Sequence, residues 1–274
     1  MELGIFSKGY KKYVLSEAFT RIRQVGLSAV QFNFTNVGLA SLPETVPEET
    51  IQQIKKAAEE TGISLAVISG TFNTLELNEA TLQQNLKNFE QVVKAAAKLG
   101  IPYVSISTGS FNQTDFWSPH PDNHTDEAWA RLCGSLDKML AVAAKYKVVI
   151  VVEPEQANVV STVEDTLRLM KHYQYSPYLK VLFDAANIVT TEDADQLEEK
   201  ILKALVDLKE HIAVAHCKDA QVTKQKVEFR AVGKGNLPLT SYLKKLSEFY
   251  QGPVIMHGLE EEDVVFAVNY LKQV

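Results

Sequence analysis

The chain is poor in cysteine, in long apolar runs and in basic charge, and each shortage excludes something. Its 274 residues hold two cysteines, Cys133 and Cys217. Two thiols cannot build the framework of bridges that staples small secreted domains, and Cys217 reads as a small core residue. No apolar stretch approaches the ~20 residues needed to cross a bilayer. The opening MELGIFSKGYKKY enters a strand without the apolar core of a signal peptide. Lys and Arg number 28 against 34 Asp and Glu, a formal charge of −6. Nucleic acid and anionic membranes both demand a basic face, so neither is expected as a partner. The expectation is a soluble, cytoplasmic protein.

Short β-rich runs alternate with longer amphipathic stretches. The runs are LGIF (3–6), AVQFNF (29–34), SLAVISG (64–70), YVSIS (103–107), VVIVVE (148–153), LKVLFD (179–184), IAVAHC (212–217) and PVIMHG (253–258). Most are continuous rather than alternating in hydrophobicity, as strands buried on both faces should be. Between them, residues 79–99 place Leu82, Leu86, Phe89, Val92 and Val93 at helical spacing, and Gly100 follows as a stop. Residues 127–145 repeat the pattern, and Thr162 before Glu164 and Asp165 reads as a helix N-cap. Eight βα units without a polar linker predict a single (β/α)8 barrel domain over 1–274; an open eight-stranded sheet is the alternative.

Four of these runs end on a polar side chain: Glu153, Asp184, His216 and His257. In a closed parallel barrel, strand ends converge on one mouth. Neighbouring strands lie ~4.8 Å apart, so four consecutive strands bring these groups within reach of one point. Two carboxylates with two imidazoles suit Zn, Mn, Fe or Co rather than Mg or Ca. Alternate residues on a strand share a face, so Lys218 should point inward with His216. The segments EPEQAN (153–158) and DAAN (184–187) add Glu155, Asn158 and Asn187. Gly233 and Gly235, after Arg230, read as a tight turn or as a phosphate cradle. The irregular segment 107–129 carries Phe116, Trp117, His120 and His124 and is expected to cover the mouth.

VVIVVEPEQAN, VLFDAAN, IAVAHCKD and AVGKGNLPLTSYLKKL…YQGPVIMHGL together resemble the sugar phosphate isomerase/epimerase superfamily of xylose-isomerase-like TIM barrels, over essentially the whole chain. The resemblance implies a divalent metal, Zn, Mn or Co foremost, at the C-terminal mouth. It implies a small sugar, sugar phosphate or related hydroxy-carbonyl substrate, and it allows a homo-oligomer. The family's strand-5 glutamate matches Glu153, its strand-6 aspartate Asp184, and its strand-7 H-x-K-D matches His216, Lys218 and Asp219. Two positions depart: Asn187 stands where D-x-x-H has its histidine, and His257 where the eighth strand has a glutamate. Glu260 reads as part of the first turn of the last helix. The resemblance thus implies Glu153, Asp184 and His216 as metal ligands; His257 is expected as fourth ligand or acid/base from its strand-end position alone. Glu153, His257 and Lys218 would be the catalytic groups. Asn33, Thr71, Asn73, Trp117, His120, Glu155, Asn158, Asn187, Arg230, Gly233 and Gly235 would bind substrate. The expected reaction is isomerisation or epimerisation by proton transfer beside a polarised carbonyl. A sugar-binding barrel with weak or lost catalysis, and a dehydratase or lyase on a hydroxy acid, are the alternatives.

Overall fold

The computed structural model describes residues 1–273. Eight parallel strands close into a barrel: β1 (Leu3–Phe6), β2 (Ala29–Phe32), β3 (Ser64–Ser69), β4 (Tyr103–Ile106), β5 (Val149–Val152), β6 (Leu179–Asp184), β7 (Ile212–Cys217) and β10 (Val254–Met256). β10 pairs with both β7 and β1, which closes the ring. Between β7 and β10 the chain inserts an antiparallel hairpin, β8 (Asp219–Val222) with β9 (Val227–Arg230). The expected barrel is therefore the architecture, and the hairpin is an element the apolar pattern did not signal. Among the described residues eight α-helices surround it: α1 (Leu15–Gln24), α2 (Glu48–Thr61), α3 (Glu79–Leu99), α4 (Asp126–Tyr146), α5 (Val163–His172), α6 (Leu197–Leu208), α7 (Leu239–Ser247) and α8 (Glu261–Leu271).

Local chemistry sets the helix ends. Asn78 accepts a hydrogen bond from the Thr81 N–H at 3.1 Å to open α3, and Gly100, at φ 72°, ends it in the left-handed region that glycine tolerates. Thr162 opens α5 by accepting from the Asp165 N–H at 3.0 Å. Glu260 precedes α8 as its N-cap residue, in line with the reading of that acidic run as a helix start.

The pleat decides what faces the lumen. Val151, Leu182, Val214 and Ile255 pack with Ala29 and Val67 into one buried cluster. Each of the first four lies two residues before Glu153, Asp184, His216 or His257. With a side-chain period of two, the layer above that apolar plug must hold these four groups. The plug leaves no slack: a Cβ on Gly4 would meet Ile255 Cδ1 at 2.6 Å and the Ala29 carbonyl oxygen at 2.7 Å.

Candidate active site

Glu153, Asp184, His216 and His257 each offer one ligand atom, and these atoms all lie within 4.8 Å of one another. His216 is fully buried, and Asp184 nearly so. Its Nδ1 lies 3.3 Å from Glu153 Oε1 and 3.6 Å from Asp184 Oδ2. Neither contact has hydrogen-bond geometry, and Asp184 Oδ2, His216 Nδ1 and His257 Nδ1 are all buried without a hydrogen-bond partner. Buried polar atoms are normally satisfied. Unsatisfied carboxylate and imidazole atoms in such a cluster are what a divalent cation would satisfy, and oxygen with imidazole nitrogen is a suitable donor set for zinc-like ions.

The groups around the cluster hold it in register. Gln31, on β2, places its Oε1 2.8 Å from His216 Nε2 and donates through Nε2 to Ser105 Oγ at 3.3 Å. An amide oxygen can only accept, so Nε2 of His216 carries a proton and Nδ1 is the nitrogen turned to the carboxylates, where it offers a lone pair once its own proton is displaced. Asp184 Oδ1 accepts from the Ala186 N–H at 2.9 Å, which leaves Oδ2 free. Asn187 donates through Nδ2 to Glu153 Oε1 at 2.9 Å and Glu155 Oε1 at 2.7 Å, and its Oδ1 accepts from Lys218 Nζ at 3.0 Å. The His257 ring lies edge-on to Phe6, with centroids 5.2 Å apart, and its backbone N–H donates to the Cys217 carbonyl at 3.1 Å.

Burial and charge separate the titrating groups. Burial disfavours the cationic form of His216, but the Glu153 and Asp184 carboxylates outweigh it and push the pKa up to about 9. For His257 burial dominates, with the His216 charge adding to it, and its pKa is held down to about 4. Burial, reinforced by the Glu153 charge, pushes Glu155 up to about 8. Burial also opposes ionisation of Asp184, yet His216 and Lys218 keep it below the usual carboxylate range.

Above the cluster opens a cavity of about 840 Å³. Asn33, Thr71, Trp117, Glu153, Glu155, Lys218 and His257 line it, where the sequence reading expects them. Asn187 acts from behind, through Glu153, Glu155 and Lys218. Six expected substrate contacts are placed otherwise. Asn73 accepts from the Ser110 N–H at 3.0 Å and donates to the Ser110 carbonyl at 2.9 Å. Asn158 accepts from Thr108 and Gly109 N–H, each at 3.2 Å, and donates to the Phe116 carbonyl at 3.0 Å. Both amides are spent on bracing the loop between β4 and α4. His120 caps a short turn by accepting from the Asp122 N–H at 3.3 Å. Arg230 is exposed and bonds Glu228 at 3.1 Å. The Gly233 and Gly235 N–H groups each donate to Asp219 Oδ2 at 2.9 Å, so the expected phosphate cradle is filled by the chain's own carboxylate. A Cβ at Gly235 would collide with the Ala220 carbonyl, which accounts for that glycine as close packing.

Gln31 and Phe229 are two of the cavity-lining residues that sequence reasoning missed, with Lys8 and Lys11 among the others. Gln31 had a signal: it is an amide at inward parity inside the apolar run AVQFNF. Phe229 had none, because it belongs to the hairpin. Its ring lies 3.5 Å from Lys218 Nζ and holds that ammonium from one side.

Comparison with known proteins agrees with this fold. The model of the xylose isomerase-like TIM barrel family matches residues 19–273. No curated protein sequence matches the chain. Among solved structures, an apo 3-keto-D-glucoside 4-epimerase from E. coli is 18% identical, with full coverage of both chains and a TM-score of 0.77. A probable 3-DHS dehydratase from Bacillus anthracis is 10% identical over 99% of each chain, with a TM-score of 0.78. The IolI protein with a zinc atom is 15% identical over 100% of this chain and 96% of that one, with a TM-score of 0.70. Identities this low speak for the fold, whereas the family match spans nearly the whole sequence: this chain belongs to the xylose isomerase-like TIM barrel family.

Proposed function

We propose that this barrel is a metal-dependent isomerase or epimerase of a small sugar or related hydroxy-carbonyl compound. The observation that carries the reading is the cluster of one ligand atom each from Glu153, Asp184, His216 and His257 within 4.8 Å of one another, in which Asp184 Oδ2, His216 Nδ1 and His257 Nδ1 are buried and unpaired. Glu153, Asp184, His216 and His257 would hold a divalent cation, which when bound polarises a carbonyl oxygen and acidifies the neighbouring C–H. The low pKa of His257 favours the neutral imidazole of a ligand over a proton carrier at pH 7. Proton traffic then falls to carboxyl groups that face the cavity. Glu153 keeps one oxygen on Asn187, and Glu155 is fixed through the same amide. Lys218, held by Asn187 and the Phe229 ring, offers a fixed positive charge to a developing oxyanion.

The test joins elemental analysis of protein purified without chelator to proton exchange in D2O. Stoichiometric Zn, Mn or Co, with deuterium appearing beside the carbonyl of a sugar in a ketose and aldose panel, is the expected result. Both should be lost in Glu153→Gln and Asp184→Asn. Protein that takes up no divalent metal and exchanges no such proton would refute the reading. A second reading, elimination of water from a hydroxy acid, is favoured by His257: it leaves the site without a second carboxylate from the last strand, and elimination needs one base and one acid rather than two matched bases. Loss of water from a substrate, seen by mass spectrometry, would select it.

A further inference from the structure

The cavity has two zones of different character. Its floor is ionic and buried. Its upper wall carries aromatic rings from two separate insertions: Trp117, with Phe116 beside it, from the loop between β4 and α4, and Phe229 from β9. Trp117 is 50% exposed and Phe229 is 52% exposed. A single exposed aromatic side chain needs no explanation, but two that line one cavity above a polar site do. Each ring already has a neighbour. Phe116 and Trp117 have centroids 4.7 Å apart at 33°, and Phe229 has Lys218 against it at 3.5 Å. What remains open on both faces the cavity or solvent. The volume, about 840 Å³, is near the top of the ~300–1,000 Å³ range of sites for drug-sized ligands. A cavity of that volume holds more than one sugar ring, so a ring seated on the floor against Lys218 leaves space beside Trp117 and the outer edge of Phe229. Lys8 and Lys11 line the same cavity and form no ion pair among the described residues, so their ammonium groups are free to donate to ring hydroxyls.

We propose that the mouth walled by Trp117 and Phe229 is a subsite for the second ring of a glycoside, whose first ring occupies the Glu153, Asp184, His216 and His257 floor. The C–H face of a pyranose is apolar and packs on an aromatic ring, while its hydroxyls stay at the edge for donors such as lysine. The substrate class is then a two-ring glycoside rather than a free monosaccharide. This rests on the sugar reading given above.

The experiment titrates the metal-loaded protein with pairs of probes, each a free hexose or hexulose and the same sugar carrying a glucosyl or phenyl group, followed by calorimetry and tryptophan fluorescence. For pairs that bind, the glycoside is expected to bind at least tenfold more tightly than the free sugar and to shift the Trp117 emission. In Trp117→Ala that ratio should fall to within about twofold. Because Phe229→Ala would also disturb Lys218, Phe229→Leu is the second variant, and it should lower the ratio in the same direction. Both rings are half exposed, so their truncation leaves the core intact. Equal binding of both members of each pair, or a tenfold ratio that survives both substitutions, overturns the subsite while leaving the sugar reading standing. Binding of no probe of either class refutes the sugar reading, and the subsite with it.

Discussion

Replacing Gln31 by leucine should weaken metal binding while leaving the barrel folded. Gln31 is buried on β2, three strands round the barrel from β7, and its Oε1 is the acceptor for His216 Nε2 at 2.8 Å. Leucine is close in volume, so packing changes little, but the Nε2–H is left buried without an acceptor. That costs roughly 1–3 kcal/mol, and the ring is then free to rotate or, when it loses a proton, to keep the remaining one on Nδ1, the atom the cation needs. Removal of such an outer partner typically weakens metal affinity about 10–100-fold, equivalent to ~1.4–2.7 kcal/mol. The assay is Co(II) titration of metal-free protein, read by calorimetry and by the visible spectrum of the bound ion, with thermal melting to show that the variant folds. Gln31→Glu retains an acceptor and should bind at least as tightly as the parent chain. A folded Gln31→Leu with Kd within threefold of the parent would refute the role of Gln31 in orienting His216.

Two further outcomes are expected. In metal-free protein His216, pushed up to about 9, carries a proton at pH 7, and a cation must displace it. Metal uptake should therefore release close to one proton per site, and affinity should climb by about tenfold per pH unit until the pH reaches that pKa; calorimetry in buffers of different ionisation enthalpy measures this, and zero release would contradict it. Asp219 accepts from four backbone N–H groups, those of Ala220, Leu237, Gly233 and Gly235, at 2.8–3.3 Å. Asp219→Ala strands the buried Ala220 and Leu237 N–H groups and frees those of Gly233 and Gly235 in a partly exposed turn, so a loss of about 3 kcal/mol is expected, read as a fall in Tm of roughly 6–12 °C.

Much of the barrel and of the floor cluster was legible because both follow from short-range rules. A parallel strand covered on both faces must be apolar along its length, and eight such runs separated by helices leave few topologies. The polar residue that ends each run then falls at a barrel mouth by connectivity alone, and the two-residue pleat gives Lys218 the face of His216. Five of the six expected substrate contacts that lie elsewhere do so for one physical reason; Arg230 instead pairs with Glu228 at the surface. Asn73, Asn158, His120 and the glycine turn carry hydrogen-bonding groups, and a sequence cannot tell whether such groups are spent on the backbone or left for a ligand. Asn158 braces Thr108 and Gly109, some fifty residues away along the chain, and Asp219 fills the turn at Gly233 and Gly235. The hairpin of β8 and β9 escaped detection because its strands are short, and β9 is half exposed and mixed in polarity.

By itself, then, the sequence determined the strands, their order of polar ends and the identity of the four floor residues, since these depend on periodicity and on which face a side chain takes. Only the tertiary structure decided that Gln31 reaches His216 across the lumen, that Asn187 joins Glu153, Glu155 and Lys218, and that Trp117 and Phe229 share one cavity. Those relations join residues from separate strands and loops. Barrel closure and hydrogen-bond competition create them, and no local pattern encodes either.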